Sequence, residues 1–239
     1  MSRSNTHIFE GPQELARAAA ETFVEEAANS IREKGSFAVA LAGGSTPKAL
    51  YELFATEYRD TLDWKNVHAF FGDERTVPPD HEDSNYRMAY EALLSRVPVG
   101  SVHRMRGELH PQEAAILYEK ELETFFGGAP RFDLILLGIG EDGHTASLFP
   151  GTAALDVTDR FVVENPVEKL DTVRLTLTLP AINAAKGIFF LVAGEGKAGA
   201  MREILEDDAD PRAYPAKFIR PESGDLTWMV DRAAASLLK

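Results

Sequence analysis

The chain of 239 residues has no cysteine and a net charge of −13, from 25 basic and 38 acidic side chains. Disulfides, thiolate chemistry and Cys-based zinc sites are excluded, and nucleic acid, which needs a clustered basic face, is not an expected partner. No apolar stretch is long enough for a membrane span or a secretory h-region, so a cytoplasmic protein with no membrane partner is expected.

Helix and strand signals alternate along the chain. Leu15 to Ile31 is Ala-rich and periodic, which predicts a helix. Phe37 to Leu41 is a short apolar run, read as a buried strand. It leads into Gly43-Gly44-Ser45-Thr46-Pro47, where Ser45 or Thr46 is expected to cap a second helix with Pro47 in its first turn. Val67 to Phe71 predicts the next strand, ending in GDER. Ser84 is expected to cap a helix from Tyr86 to Arg96, and Glu113 to Phe126 reads as another helix. Strands follow at Leu134 to Leu137, Phe161 to Val163, Val173 to Leu179 and Ile188 to Val192. GEGKAGAMREIL then opens a loop and a helix. Lys217 to Arg220 reads as a short strand, and Asp231 to Lys239 as a closing helix.

This alternation implies an α/β fold with a doubly wound, mainly parallel sheet and helices on both faces, three layers in all. No linker, repeat or low-complexity stretch divides the chain, so residues 1–239 read as one domain, with a small β embellishment around 155–180.

Four strand ends carry candidate chemistry, because ligands bind beyond the carboxyl ends of parallel strands. In FDLILLGIGEDGHTASLFPG, Asp142 and His144 follow a buried strand on a Gly-rich turn, which suggests acid–base chemistry. The same stretch contains a literal G-x-G-x-x-G, with Glu164 at 21 residues beyond Gly143, on paper a dinucleotide fingerprint. Pro150-Gly151 arrives too soon for a crossover helix over a pyrophosphate, so no nucleotide cofactor is expected.

Gly43, Gly44, Ser45 and Thr46 would form an anion cradle at a helix N-terminus, although an ordinary capped turn fits them equally well. Arg75 could fork onto a phosphate, and Asp73 could hold a sugar hydroxyl or share base duty; a solvated ion-pair turn is the plainer account. Lys197, at the start of a helix, could reach an anion as a point charge. Arg174 points either to the same pocket or to solvent. Ser147 lies in HTASLF, not in a G-x-S-x-G elbow, so no serine nucleophile is expected. His81-Glu82-Asp83 lacks ligand spacing and reads as a solvated loop, so no metal is expected. Together these residues describe an anion pocket containing one ionisable histidine.

The motifs LAGGSTPKALYELF, FFGDERTVPPDHEDSNYRMAYEALL, FDLILLGIGEDGHTASLFPG, RLTLTLPAIN and FLVAGEGKAGAMREIL resemble, in order and spacing, those of 6-phosphogluconolactonases. The resemblance covers almost the whole chain. It implies metal-independent hydrolysis of 6-phospho-D-glucono-1,5-lactone in the oxidative pentose phosphate pathway; no cofactor is expected, and the chain is expected to be a monomer or small homo-oligomer. It also implies the fold of the glucosamine-6-phosphate isomerases. Those isomerase/deaminases are the nearest alternative, but they typically have DEY where this chain has Asp73-Glu74-Arg75, and GHIAFNEP where it has GHTASLFP. A sugar-phosphate sensor is the third reading; it would need a DNA-binding segment that the chain lacks.

Overall fold

The computed structural model describes residues 4–239, with ten strands in two sheets. In chain order the main elements are β1 (Ser4–Phe9), α1 (Pro12–Lys34), β2 (Phe37–Leu41), α2 (Ser45–Thr56), β3 (Val67–Phe71), β4 (Asp73–Arg75), α3 (Asn85–Ala89) and β5 (Ser101–Val102). There follow α4 (Pro111–Phe126), β6 (Leu134–Leu137), β7 (Val162–Val167), β8 (Thr172–Leu177), α5 (Leu179–Asn183), β9 (Gly187–Val192), α6 (Ala198–Leu205) and β10 (Asp225–Asp231).

Seven strands form a parallel sheet in the order β1-β10-β9-β6-β2-β3-β5. Its central strands are apolar throughout because both faces are covered. Successive side chains nevertheless divide between two cores. On β2, Phe37, Val39 and Leu41 pack under α1 and α2, while Ala38 and Ala40 face the α4, α5 and α6 side. The same split runs along β6, with Leu134 and Leu136 on one side and Ile135 and Leu137 on the other. Phe23 of α1 and Phe54 of α2 meet at 4.5 Å between ring centroids and seal the first of these layers.

β4, β8 and β7 form a separate antiparallel sheet, with Asp73 opposite Thr176 and Arg75 opposite Arg174. This is the embellishment expected around 155–180, extended by three residues of the GDER turn. From β2 the chain moves outward to β3 and β5, then returns to β6 on the other side of β2. The topological switch therefore falls between β2 and β6, where a crevice opens beyond their carboxyl ends.

Several boundaries differ from the sequence reading. Lys217 to Arg220 is not a strand: Pro215–Phe218 is a 3₁₀ turn, and Lys217 Nζ donates to the carbonyls of Glu203 and Asp207. Asp231 to Lys239 is not a helix. Asp231 closes β10, and its buried carboxylate accepts from the backbone N–H groups of Gly194 and Ala234, which commits the following residues to turns. The helix begun by Ser84 widens into a π-helical turn at Tyr90–Leu94. No helix among the described residues is long and apolar enough to cross a membrane.

Candidate active site

The crevice at the switch point is a cleft of about 230 Å³. Gly43, Gly44, Asp73, Arg75, His144 and Lys197 all line it, although they come from four strand ends. Asp142 stands behind His144. Ser45 and Thr46 open α2 beside Gly44, and Arg174 lies next to Arg75 across the β4–β8 ladder.

Asp142 and His144 form a hydrogen-bonded dyad. His144 Nδ1 lies 2.6 Å from Asp142 Oδ1, and the His144 backbone N–H donates to the same oxygen at 3.2 Å. Lys169 Nζ donates to Oδ2. Burial works to raise the Asp142 carboxyl, but hydrogen bonds from His144 and Lys169 overcome it and hold the group well below the usual carboxylate range. In a neutral imidazole, an ionised Asp142 favours the proton on Nδ1, which leaves the lone pair on Nε2. Phe149 supports the ring by stacking at 4.1 Å with a 25° tilt.

Of the three glycines in GIGEDG, Gly140 is the one the dyad packs against. A Cβ at Gly140 would lie 2.0 Å from His144 Nδ1 and 2.6 Å from Asp142 Oδ1. The Gly140 N–H also donates to the His144 carbonyl at 2.8 Å, which closes the turn. Ala146, two residues on, takes φ +46°, a left-handed conformation unusual for a non-glycine residue. In this way the chain reverses sharply between His144 and Ser147.

Asp73 faces the cleft with both oxygens engaged. Ser147 Oγ donates to Oδ2 at 2.6 Å and Asn85 Nδ2 to Oδ1 at 3.1 Å. Glu74, between Asp73 and Arg75, turns inward and is 2% exposed. Its Oε1 accepts from the Arg75 and Asn85 N–H groups, both at 2.8 Å. Its Oε2 accepts from the Tyr86 N–H at 2.8 Å and from Ser84 Oγ at 3.0 Å. Burial leaves this carboxyl above its usual range despite those donors. Glu74 thus ties the GDER strand to the start of α3. In Glu74→Gln the new amide NH₂ would face at least one backbone N–H whichever way it is flipped, so the substitution is expected to cost about 2–4 kcal/mol in a urea melt. A loss below about 0.5 kcal/mol would contradict that role.

Arg75 and Lys197 line the cleft and Arg174 lies beside Arg75, and this cationic group is unbalanced. Among the described residues, Arg75, Arg174 and Lys197 form no ion pair with a carboxylate, in a chain of net charge −13. Arg75 donates instead to the Asp83 carbonyl and ties down the loop before α3. Burial, then the neighbouring Arg75 charge, pushes the Arg174 guanidinium down from its ordinary value. An anion placed here would relieve that repulsion.

The structure corrects one detail of the cradle. Gly44, at φ +104°, is the residue preceding α2, and neither Ser45 nor Thr46 makes a capping bond. The N–H groups of the first turn are consequently left for a ligand. Sequence reasoning missed Asn85, which closes on Gly43 so tightly that a Cβ there would meet its Oδ1 at 1.9 Å. It also missed Lys169, Phe149 and the inward turn of Glu74. No group of three or more His, Asp or Glu side chains among the described residues is placed to hold a metal ion.

A family model described as glucosamine-6-phosphate isomerases/6-phosphogluconolactonase matches residues 10–228. A 6-phosphogluconolactonase of Synechocystis sp. is 48% identical over 217 residues, covering 88% of each chain. The solved 6-phosphogluconolactonase of Trypanosoma cruzi superposes with a TM-score of 0.88 at 31% identity, over 100% of this chain and 98% of its own. A solved monomeric glucosamine-6-phosphate deaminase superposes at 0.78 with 25% identity, over 98% and 99% respectively. With a matched model spanning nearly its full length, the chain belongs to the glucosamine-6-phosphate isomerase/6-phosphogluconolactonase family.

Proposed function

We propose that this chain hydrolyses 6-phospho-D-glucono-1,5-lactone to 6-phospho-D-gluconate, the reaction named by its Synechocystis and Trypanosoma cruzi relatives. One observation carries the reading: a histidine–carboxylate dyad shares its cleft with cations that, among the described residues, have no carboxylate partner. Arg75, Arg174, Lys197 and the first turn of α2 take the phosphate, and the lactone ring then lies toward His144.

His144 Nε2 removes a proton from water as the water oxygen bonds to C1. The carbonyl electrons move onto oxygen and form a tetrahedral oxyanion. On collapse, the bond from C1 to the ring oxygen breaks, and the imidazolium returns its proton to that oxygen. No metal or cofactor enters this sequence. Asp73, already accepting from Ser147 and Asn85, is better suited to holding sugar hydroxyls than to moving protons. The net charge of −13 argues against a nucleic-acid partner; the same reading places the enzyme in the cytoplasm as a monomer or small homo-oligomer.

Kinetics test the division of labour. Lys197→Ala and Arg75→Ala each remove a charge-assisted bond to the phosphate, worth about 1.5–3 kcal/mol, so KM is expected to rise about 10-fold to 150-fold. The fall in kcat is expected to be smaller. Unchanged KM in both variants would remove the phosphate from this end of the cleft. Turnover of glucosamine-6-phosphate in place of the lactone would select the deaminase reading.

A further inference from the structure

Lys169 lies outside the cleft lining but contacts the dyad through Asp142, and it has no assigned role. It sits in the 3₁₀ turn Glu168–Leu170, at the tip of the β7–β8 hairpin, 27 residues from Asp142 and in the other sheet. Asp171, at φ +45°, bends the backbone there. Asp142 divides its two oxygens between neighbours: Oδ1 takes His144, and Oδ2 takes Lys169. The Lys169 ammonium also lies 4.9 Å from the centroid of Phe149, the ring that stacks on His144. Lys169 therefore touches both groups that hold the imidazole in place.

We propose that Lys169 is a positioning residue for the dyad: it pins Asp142 in the orientation that meets Nδ1, and its positive charge opposes that of the carboxylate beside the imidazole. This rests on the reading of His144 as the base. An unopposed carboxylate beside an imidazole favours the imidazolium, which has no lone pair to accept a proton from water. A cation on the far oxygen limits that bias while leaving the Nδ1 bond intact.

The sign follows directly. Without Lys169 the Asp142 charge is unbalanced, so the imidazolium persists to higher pH and activity on the acid side falls. Lys169 is half-exposed, with 49% of its side chain accessible, so screening limits the effect to about half a unit to one unit of pH. The other charges around the dyad are Arg75, Lys197 and Asp73 along the cleft, Glu141 on the same turn, and Glu168 and Asp171 at the hairpin tip. All are retained in a Lys169 variant, so the difference isolates Lys169.

The test compares wild type, Lys169→Met and Lys169→Arg by two readouts. One is kcat/KM for the lactone against pH, over a no-enzyme blank. The other is NMR titration of the His144 ring protons. In Lys169→Met both curves are expected to move upward together by about half a unit to one unit, with kcat/KM about 3-fold to 10-fold lower on the acid limb. Lys169→Arg is expected to restore both. A uniform fall in rate with neither curve displaced overturns the proposal and reduces Lys169 to packing. A displaced NMR titration with an unmoved rate limb overturns His144 as the base, and with it any part for Lys169 in turnover.

Discussion

Replacing His144 by alanine is expected to lower kcat for lactone hydrolysis by about 10²–10⁴, the usual worth of a positioned general base. KM is expected to stay within about threefold, because the proposed phosphate contacts come from Arg75, Lys197 and α2, none of which touches the imidazole. No substitute base is well placed. Asp73 is the nearest candidate, but both its oxygens already accept from Ser147 and Asn85. Asp142 cannot replace the ring either, since it is held strongly ionised and is a very weak base. A coupled assay with 6-phosphogluconate dehydrogenase measures both constants. A variant that keeps its kcat would transfer the base role to Asp73.

Gly140→Ala is expected to cut kcat/KM by about 10²-fold or more without altering any side chain of the dyad. The added Cβ would stand 2.0 Å from His144 Nδ1 and 2.2 Å from Cε1, so the ring has to leave. It cannot retreat along its own plane normal, because Phe149 is stacked there at 4.1 Å. Nor does the backbone yield easily, since the Gly140 N–H holds the His144 carbonyl at 2.8 Å. The outcome is rotation of the imidazole out of the 2.6 Å bond to Asp142. The groups displaced are the partly exposed side chains of His144 and Asp142, so the melting temperature is expected to remain near that of wild type. Wild-type kinetics in this variant would mean that the observed dyad geometry is not needed for turnover.

The inner strands were legible because each is a short apolar run flanked by glycine or charge, and burial on both faces demands that pattern. The outer ones were harder. β1, SNTHIF, is a mostly polar edge strand, and β10, DLTWMVD, merges into an Ala-rich tail with helical propensity. The carboxylate of Asp231, bonded to Gly194 from another strand end, overrides that propensity, and no local pattern announces such a contact.

The site divides in the same way. Asp142, His144 and Gly140 lie within one turn, so their grouping could be read from spacing alone. Glu74 could have been found: once GDER is seen to continue as a strand, alternation turns Glu74 away from Asp73 and Arg75. Lys169 could not, because only the pairing of β7 with β8 brings it to Asp142. The GIGEDG run misleads for a related reason. Close backbone approach is what its glycines provide, and here the group approaching Gly140 is an imidazole and not a pyrophosphate.

The central claim is that this cleft opens the phosphorylated lactone with a histidine-activated water and no metal. The most direct test is the enzyme-dependent rate on freshly generated 6-phospho-D-glucono-1,5-lactone, measured over the spontaneous blank after exhaustive chelation. The expected result is a clear acceleration, equal before and after metal removal. A folded protein that does not exceed the blank, or one whose acceleration disappears with the chelator, would contradict the account.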